Sequence, residues 1–245
     1  RRGSPGQLAQ MRSTPRKSAK AAAKAKPLAT DMKLRPSQAR SQETIEQIVR
    51  VTGLLLEEMG FEQLSTNLVC RRANLTPPAL YRYFPNKYAL LRELGERLMR
   101  AQDDALLAWI DRGGLDTSST QEAVAQNVLL MNEIIEITRA FPGQIAILRA
   151  LRAVPGLREV RLASRDMVAA RLAEAIAPSL PNVPFETLCI ATRMTTEMGT
   201  TAAEMVLEEP QLDREIIVQQ VTRATVAYYD ALRATTMPAK TKAKS

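Results

Sequence analysis

An all-α fold is predicted, with an N-terminal three-helix domain built around a helix-turn-helix and a C-terminal helical bundle. Three observations predict it. After residue 41, apolar residues recur at spacings of three and four, and strand-like alternation is scarce. Residues 64–91 hold two short, capped helical segments joined by a tight turn. The chain of 245 residues is 45% hydrophobic but only 4% aromatic, so its core must be mostly Leu, Ile, Val, Ala and Met. That length fits one large or two small domains.

Taking the elements in order, residues 42–59 form the first helix, with Ile45, Ile48, Thr52, Leu55, Leu56 and Met59 on one face. Gly60 ends it as a left-handed residue. Ser65 caps the second helix, flanked by Leu64 and Val69 as a hydrophobic staple. The pattern repeats eleven residues later: Thr76 caps, Pro77 takes the first helical position, and Leu75 pairs with Leu80. Asn74 takes the sharp turn between them, because Asn tolerates the left-handed conformation. Leu80 and Phe84 share the buried face, Pro85 stops the helix, and Asn86 caps the next. Two capped helices joined by about three residues are helix-turn-helix geometry.

The exposed chemistry of that unit suits a polyanion. Residues 61–90 carry Arg71, Arg72, Arg82 and Lys87 against one acid, Glu62. Ser65, Thr66, Tyr81 and Tyr83 add hydroxyl donors, and phosphate oxygens take most protein–DNA hydrogen bonds. A surface helical hairpin with a modest basic excess would read the same from composition alone.

The run Leu80-Tyr81-Arg82-Tyr83-Phe84-Pro85-Asn86-Lys87-Tyr88-Ala89-Leu90-Leu91 resembles the signature of TetR (tetracycline-repressor) family transcriptional regulators. Ile48, Gly60-Phe61 and Ala73-Asn74-Leu75-Thr76 extend the likeness over about residues 41–95. Asn74 replaces a usual Gly, Cys70 and Thr52 replace usual Ala, and Tyr83 stands where His is commonest. The resemblance implies that Ser65, Thr66, Tyr81, Tyr83 and Lys87 hold phosphates. It places Asn67, Pro77, Pro78, Ala79 and Arg82 nearest the base edges, with Thr76 on the same surface. Arg82 is the choice for guanine readout.

The helix from Tyr88 to about Trp109 follows, joining the reader to the regulatory core by the same resemblance. Asp111–Ser119, with Gly113 and Gly114, is a loop. Five more helices are expected: Thr120–Ala140, Gln144–Ala153, Leu157–Leu180, Phe185–Glu208 and Leu212–Thr235. On the penultimate helix Leu188, Thr192, Thr195, Gly199, Ala202 and Val206 form one stripe. On the last, Ile217, Val221, Ala224, Tyr228 and Ala231 form another. Spacing leaves open whether the stripes face the subunit's own core or a second subunit. The resemblance implies dimerisation through these two helices, which assigns both stripes to the interface. A second face, Ala191, Met194, Met198, Thr201 and Met205, suits the wall of a pocket for a mostly apolar small molecule, though ordinary core packing would give the same pattern. On the fifth helix Met131 is placed near that pocket, and Asn127, Asn132 and Arg139 either orient a ligand there or face solvent.

Charge is uneven. Residues 1–40 carry eleven Lys or Arg and one acid, and residues 240–245 carry three Lys, so the overall charge of +8 belongs to the ends. Residues 1–40 are expected to be a disordered basic arm, with 1–10 a vector remnant if Met11 is the natural start. Residues 41–87 are the reading domain, 88–235 the regulatory and dimerisation domain, and 236–245 a basic tail. The arm could track phosphates, enter the minor groove, or be a solvated tail. Cys70 and Cys189 read as buried thiols in a reducing compartment. The absence of histidine excludes Ser-His and Cys-His nucleophile systems and His-ligated zinc. No cofactor, metal site, catalytic group or membrane span is expected.

The function expected is a homodimeric, cytoplasmic bacterial transcription regulator. It would repress from a palindromic double-stranded operator and be released by a small apolar effector. The alternative is a dimeric DNA-binding or architectural protein with no small ligand.

Overall fold

The computed structural model describes residues 29–33 and 39–235. The expectations for residues 1–28, 34–38 and 236–245 lie outside the described residues. Among those described, nine α-helices are found: α1 (Ala39–Gln63), α2 (Thr66–Arg72), α3 (Pro77–Tyr81), α4 (Lys87–Asp111), α5 (Thr120–Arg139), α6 (Gln144–Ala153), α7 (Pro155–Ile176), α8 (Phe185–Glu208) and α9 (Arg214–Thr235). No described helix is long and apolar enough to cross a membrane.

The helices of the head form for local reasons. Ile45, Ile48, Thr52, Leu55 and Leu56 of α1 are buried, and Thr52 returns its hydroxyl to the Ile48 carbonyl at 2.7 Å. Gly60 does not stop α1 as a left-handed residue. It adopts φ 73°, ψ 179°, and the chain resumes helical form to Gln63 beyond this kink. Such a conformation is open to glycine and few others. Ser65 caps α2, its Oγ accepting from Leu68 N at 3.3 Å. Asn74 takes φ 51° in the turn, as its side chain permits.

Thr76 stands at the start of α3 but makes no side-chain cap bond. The donors it would need are spent, because Pro78 has no N–H and Ala79 N donates to the Thr76 carbonyl. The helix α3 is also shorter than the sequence suggested, closing at Tyr81, with turn bonds carrying the chain to Phe84. Asn86 caps α4 with two bonds, accepting from Tyr88 N and Ala89 N.

One apolar cluster runs from Ile48, Leu80 and Phe84 through Leu94 and Leu98 to Ile147, Leu151 and Leu157. The reading domain and the α6–α7 hairpin are therefore packed as one body. Gly143 makes this docking possible. It takes φ 75°, and a Cβ there would lie 2.8 Å from the Gly53 carbonyl oxygen of α1.

Part of the arm expected to be disordered is packed. Thr30 is buried against Gly156, Asn86 Nδ2 donates to the Ala29 carbonyl at 2.7 Å, and Lys33 N donates to the Tyr83 carbonyl at 2.7 Å. Arg92 bridges this strap to α7, facing Asp31 at 3.1 Å and donating to the Gly156 carbonyl at 3.3 Å.

Candidate nucleic-acid interface and core cavity

The helix-turn-helix presents one continuous exposed surface. Asn67, Arg71, Thr76, Pro77, Pro78 and Arg82 are exposed, and Thr66 and Ala79 are half-buried. Tyr81 is 39% exposed, and its hydroxyl shares a 2.9 Å hydrogen bond with Thr66. That bond ties the start of α2 to the end of α3, so both hydroxyls hold fixed positions on the surface. Ser65 spends its oxygen as a cap and keeps its O–H to donate.

Two expected contacts change. Tyr83 is 6% exposed and packs in the head core, so it does not hold phosphate; its ring supports Arg82, whose guanidinium carbon lies 5.8 Å from the ring centre. The side chain falls inward because it follows Leu80 by three residues on the buried face of a tight turn. Lys87 is half-buried, with Nζ 4.2 Å over the Phe61 ring and 3.4 Å from the Phe61 carbonyl. It pins the start of α4 to the end of α1 and has donors left for a phosphate. Arg72 is neutralised by two 2.8 Å bonds to Glu58, and its guanidinium holds that carboxyl below the usual range. Arg71 and Arg82 are then the exposed cations of the surface.

The second feature is a cavity of about 820 Å³ inside the bundle of α4, α5, α7, α8 and α9. Leu106, Leu130, Ile134, Val168 and Leu172 supply apolar wall, and Asp103, Trp109, Arg161, Thr196 and Tyr229 supply polar groups. Asn127 and Met131 are in its lining, and Asn127 Nδ2 donates to the Ala123 carbonyl at 2.9 Å. Met194, Met198 and Thr201 are not in its lining. They lie on the outer face of α8, with Met194 53% exposed.

The stripe assigned to the interface turns inward instead. Leu188, Thr192, Thr195, Ala202 and Val206 are buried in the subunit, and Thr195 and Gly199 line the cavity. On α9, Ile217 and Val221 pack against the inner cluster and Val221 lines the cavity, while Tyr228 is half-buried with its ring centre 5.9 Å from that of Tyr229. The α8 stripe therefore packs inside the subunit, whereas the α9 stripe only borders it: Ala224 and Ala231 are exposed, and the buried residues of α9 are Val218, Thr222 and Val226. Thr192 shows why: its hydroxyl reaches the Ala169 carbonyl of α7 at 2.8 Å, a bond short enough to need close helix approach. Asn132 holds Arg214 of α9 at 2.7 Å, and Arg139 pairs with Glu136, so neither faces the cavity.

Burial sets the electrostatics inside. It raises the Asp103 carboxyl, partly offset by the Ser164 hydroxyl at 2.7 Å. It pushes the Tyr229 hydroxyl up to about 12 despite a bond to Thr195. Glu197 feels the same burial, but hydrogen bonds from Arg165 and Arg161 outweigh it and its carboxyl falls below the usual range. Trp109, Asp103, Arg161, Arg165 and Thr196 were not singled out in the sequence. The lone tryptophan, on the face of α4 that bears Leu98 and Leu106, was the one available signal.

A surface of this kind on a helix-turn-helix, carried on an all-helical core, defines a DNA-binding regulator. Residues 48–94 match the family model "Bacterial regulatory proteins, tetR family", and residues 129–228 match "Tetracyclin repressor-like, C-terminal domain". The chain belongs to the TetR family. It is 30% identical over 109 residues to the nucleoid occlusion factor SlmA of Haemophilus ducreyi, covering 44% of this chain and 49% of that one. The chain therefore spans about half the length of the curated relatives it matches. The fold is shared with a protein described as a TetR-family regulator from Mesorhizobium loti (TM-score 0.60, 11% identity, 80% of this chain and 98% of that one). It is also shared with the fatty acid degradation regulator FadR from Bacillus halodurans (TM-score 0.54, 16% identity, 75% and 94%).

Proposed function

We propose that the protein is a homodimeric repressor of a palindromic operator, released when a small molecule fills the core cavity. One observation carries this reading. The single helix α4, 25 residues and so roughly 38 Å long, has Lys87 at the reading surface and Met99, Asp103, Leu106 and Trp109 in the cavity wall. A ligand that favours one setting of α4 biases the placement of the head by its difference in affinity for the two settings. Asn67, Pro77, Pro78 and Arg82 take the base edges, and Thr66, Tyr81 and Lys87 take phosphates.

Dimerisation runs through the outer, not the inner, faces of α8 and α9. Seven of the eleven large exposed hydrophobics fall between Phe185 and Ile216, among them Ile190, Met194, Met198 and Met205. An apolar face of that kind marks a protein contact, and two-fold pairing of it sets two heads on one duplex.

The test is selection of operator from random DNA by the full chain, followed by Arg82→Ala. A palindromic consensus, with relaxed preference at one position in each half-site, supports the reading. Recovery of no symmetric sequence would sink it. Met194→Glu with Met198→Glu should give monomers in ultracentrifugation; an unchanged dimer places the contact elsewhere. A second reading, a DNA-binding dimer with no small ligand, draws on the likeness to nucleoid occlusion factors. It predicts that no cavity ligand alters operator affinity.

A further inference from the structure

The cavity carries information about what fills it. Among the described residues, three buried side-chain polar atoms have no hydrogen-bond partner: Trp109 Nε1, Arg161 Nε and Thr196 Oγ1. All three belong to residues that line the cavity. A buried polar group without a partner is costly, and such groups are rare. Two of these atoms, the indole and guanidinium nitrogens, can only donate. All three are closed to water in this conformation, so an occupant that reaches them must part the wall around them and must bring acceptors.

Charge narrows the choice. The cations lining the cavity are Arg161, Arg165 and Arg233, and each already faces a carboxylate: Glu197 for the first two, at 3.0 Å, and Asp230 for the third, at 2.6 Å. Arg165 also pairs with Asp166. The wall adds Asp103, Asp116 and Glu204, so an anionic occupant would find no uncompensated positive charge and several acids. Burial holds the Asp103 and Glu204 carboxyls above their usual range, which also makes them poor partners for a cation. What is unmet in this cavity is hydrogen bonding, not charge. Leu, Ile, Val and Met share the remaining wall with Ser and Thr, several of which are already bonded within the protein: Thr138 to Gln102, Ser164 to Asp103 and Thr195 to Tyr229.

Trp109 is also held in place. The indole lies so close to Gly114 that a Cβ there would come within 2.1 Å of the ring. Its N–H is therefore a fixed donor, not one that can rotate toward another protein group.

We propose that the cavity takes an uncharged, largely apolar molecule bearing carbonyl-type acceptors, one received by Trp109 Nε1 and another by Arg161 Nε with Thr196 Oγ1. The inference rests on reading the cavity as the ligand site of the regulator. Occupancy has a built-in reporter, because Trp109 is the only tryptophan of the chain.

The test is a panel of neutral ketones and lactones, with progesterone as type member, against deoxycholate as an acid and 5α-pregnane as a hydrocarbon of similar shape. Trp109 fluorescence and equilibrium dialysis on the full chain read binding. At least one ketone or lactone should bind, more tightly than the acid. Trp109→Phe keeps an aromatic ring but removes the indole N–H, and Arg161→Lys keeps the charge but puts a methylene where Nε–H stood. Each should weaken binding of that probe about tenfold and leave 5α-pregnane unchanged. A panel in which no ketone or lactone binds, preferential binding of the acid, or equal loss for hydrocarbon and ketone would overturn the proposal. Operator affinity is measured in parallel. Binding of the ketone without operator release would remove the effector reading and leave the ligand chemistry standing.

Discussion

The head and the helical core are made of the same material, helices packed on Leu, Ile and Val, yet they are finished differently. In the head the capping groups at Ser65 and Asn86 are matched, and Leu80, Phe84 and Leu90 are fully buried. In the core, α4, α5, α7, α8 and α9 surround a cavity of about 820 Å³, and three residues of its wall carry unpaired buried polar atoms. A closely packed body transmits force, and a hollow one can change shape on filling. The contrast assigns rigidity to the reading surface and adaptability to the cavity.

Truncation should break the contrast most clearly. Leu80→Ala, in the closed packing of the head, should cost about 3 kcal/mol. Leu130→Ala, whose side chain already borders a void, should cost less than about 2 kcal/mol, because fewer contacts are lost. Thermal unfolding of the two variants measures the difference, and equal losses would mean that the core is as tightly packed as the head. Next in size, Gly114→Ala should destabilise by about 2 kcal/mol, since the added methyl overlaps the Trp109 ring. A red shift of Trp109 emission should accompany it.

Capping gives a finer comparison within the head. Asn86→Ala removes an acceptor for two backbone donors and should cost about 1 kcal/mol. Thr76→Ala removes none and should change the unfolding midpoint hardly at all. A large loss at Thr76 would show that its hydroxyl is engaged after all.

The smallest effect concerns Asp103. Its carboxyl is raised by burial, so the folded chain binds that proton more tightly than the unfolded chain. Stability from this group is therefore full at pH below the unfolded value and lost as pH rises through the folded one. Asp103→Asn should raise the melting temperature at pH 7, and the gain should fade as the medium is acidified into the carboxylate range. A gain that persists at low pH would trace to packing instead.

Local signals were legible in the sequence and facing was not. Caps at Ser65 and Asn86, the turn at Asn74, and the bounds of α6 and α8 follow from residues within a few positions of each other. The two stripes of α8 were both visible, but assigning one to a partner and one to a pocket required knowing what lay opposite. Thr192, Thr195 and Gly199 face the subunit's own interior because α7 and α9 pack there; the Met194–Met198 face is left outside. Tyr83 was misplaced for a related reason: it follows the buried Leu80 by three residues and so shares its inward face, a position that the hydroxyl-bearing residue type had masked. The cavity donors Arg161 and Thr196 come from different helices, and no spacing brings them together.

The strap at residues 29–33 has one more implication. It is fastened both to the capping Asn86 of α4 and to the first turn of α7, so it adds a further tie to the body that the head forms with the α6–α7 hairpin. A shift of α4 at the cavity would then carry strap, head and hairpin together, and the unit that moves on a duplex is larger than the three-helix head.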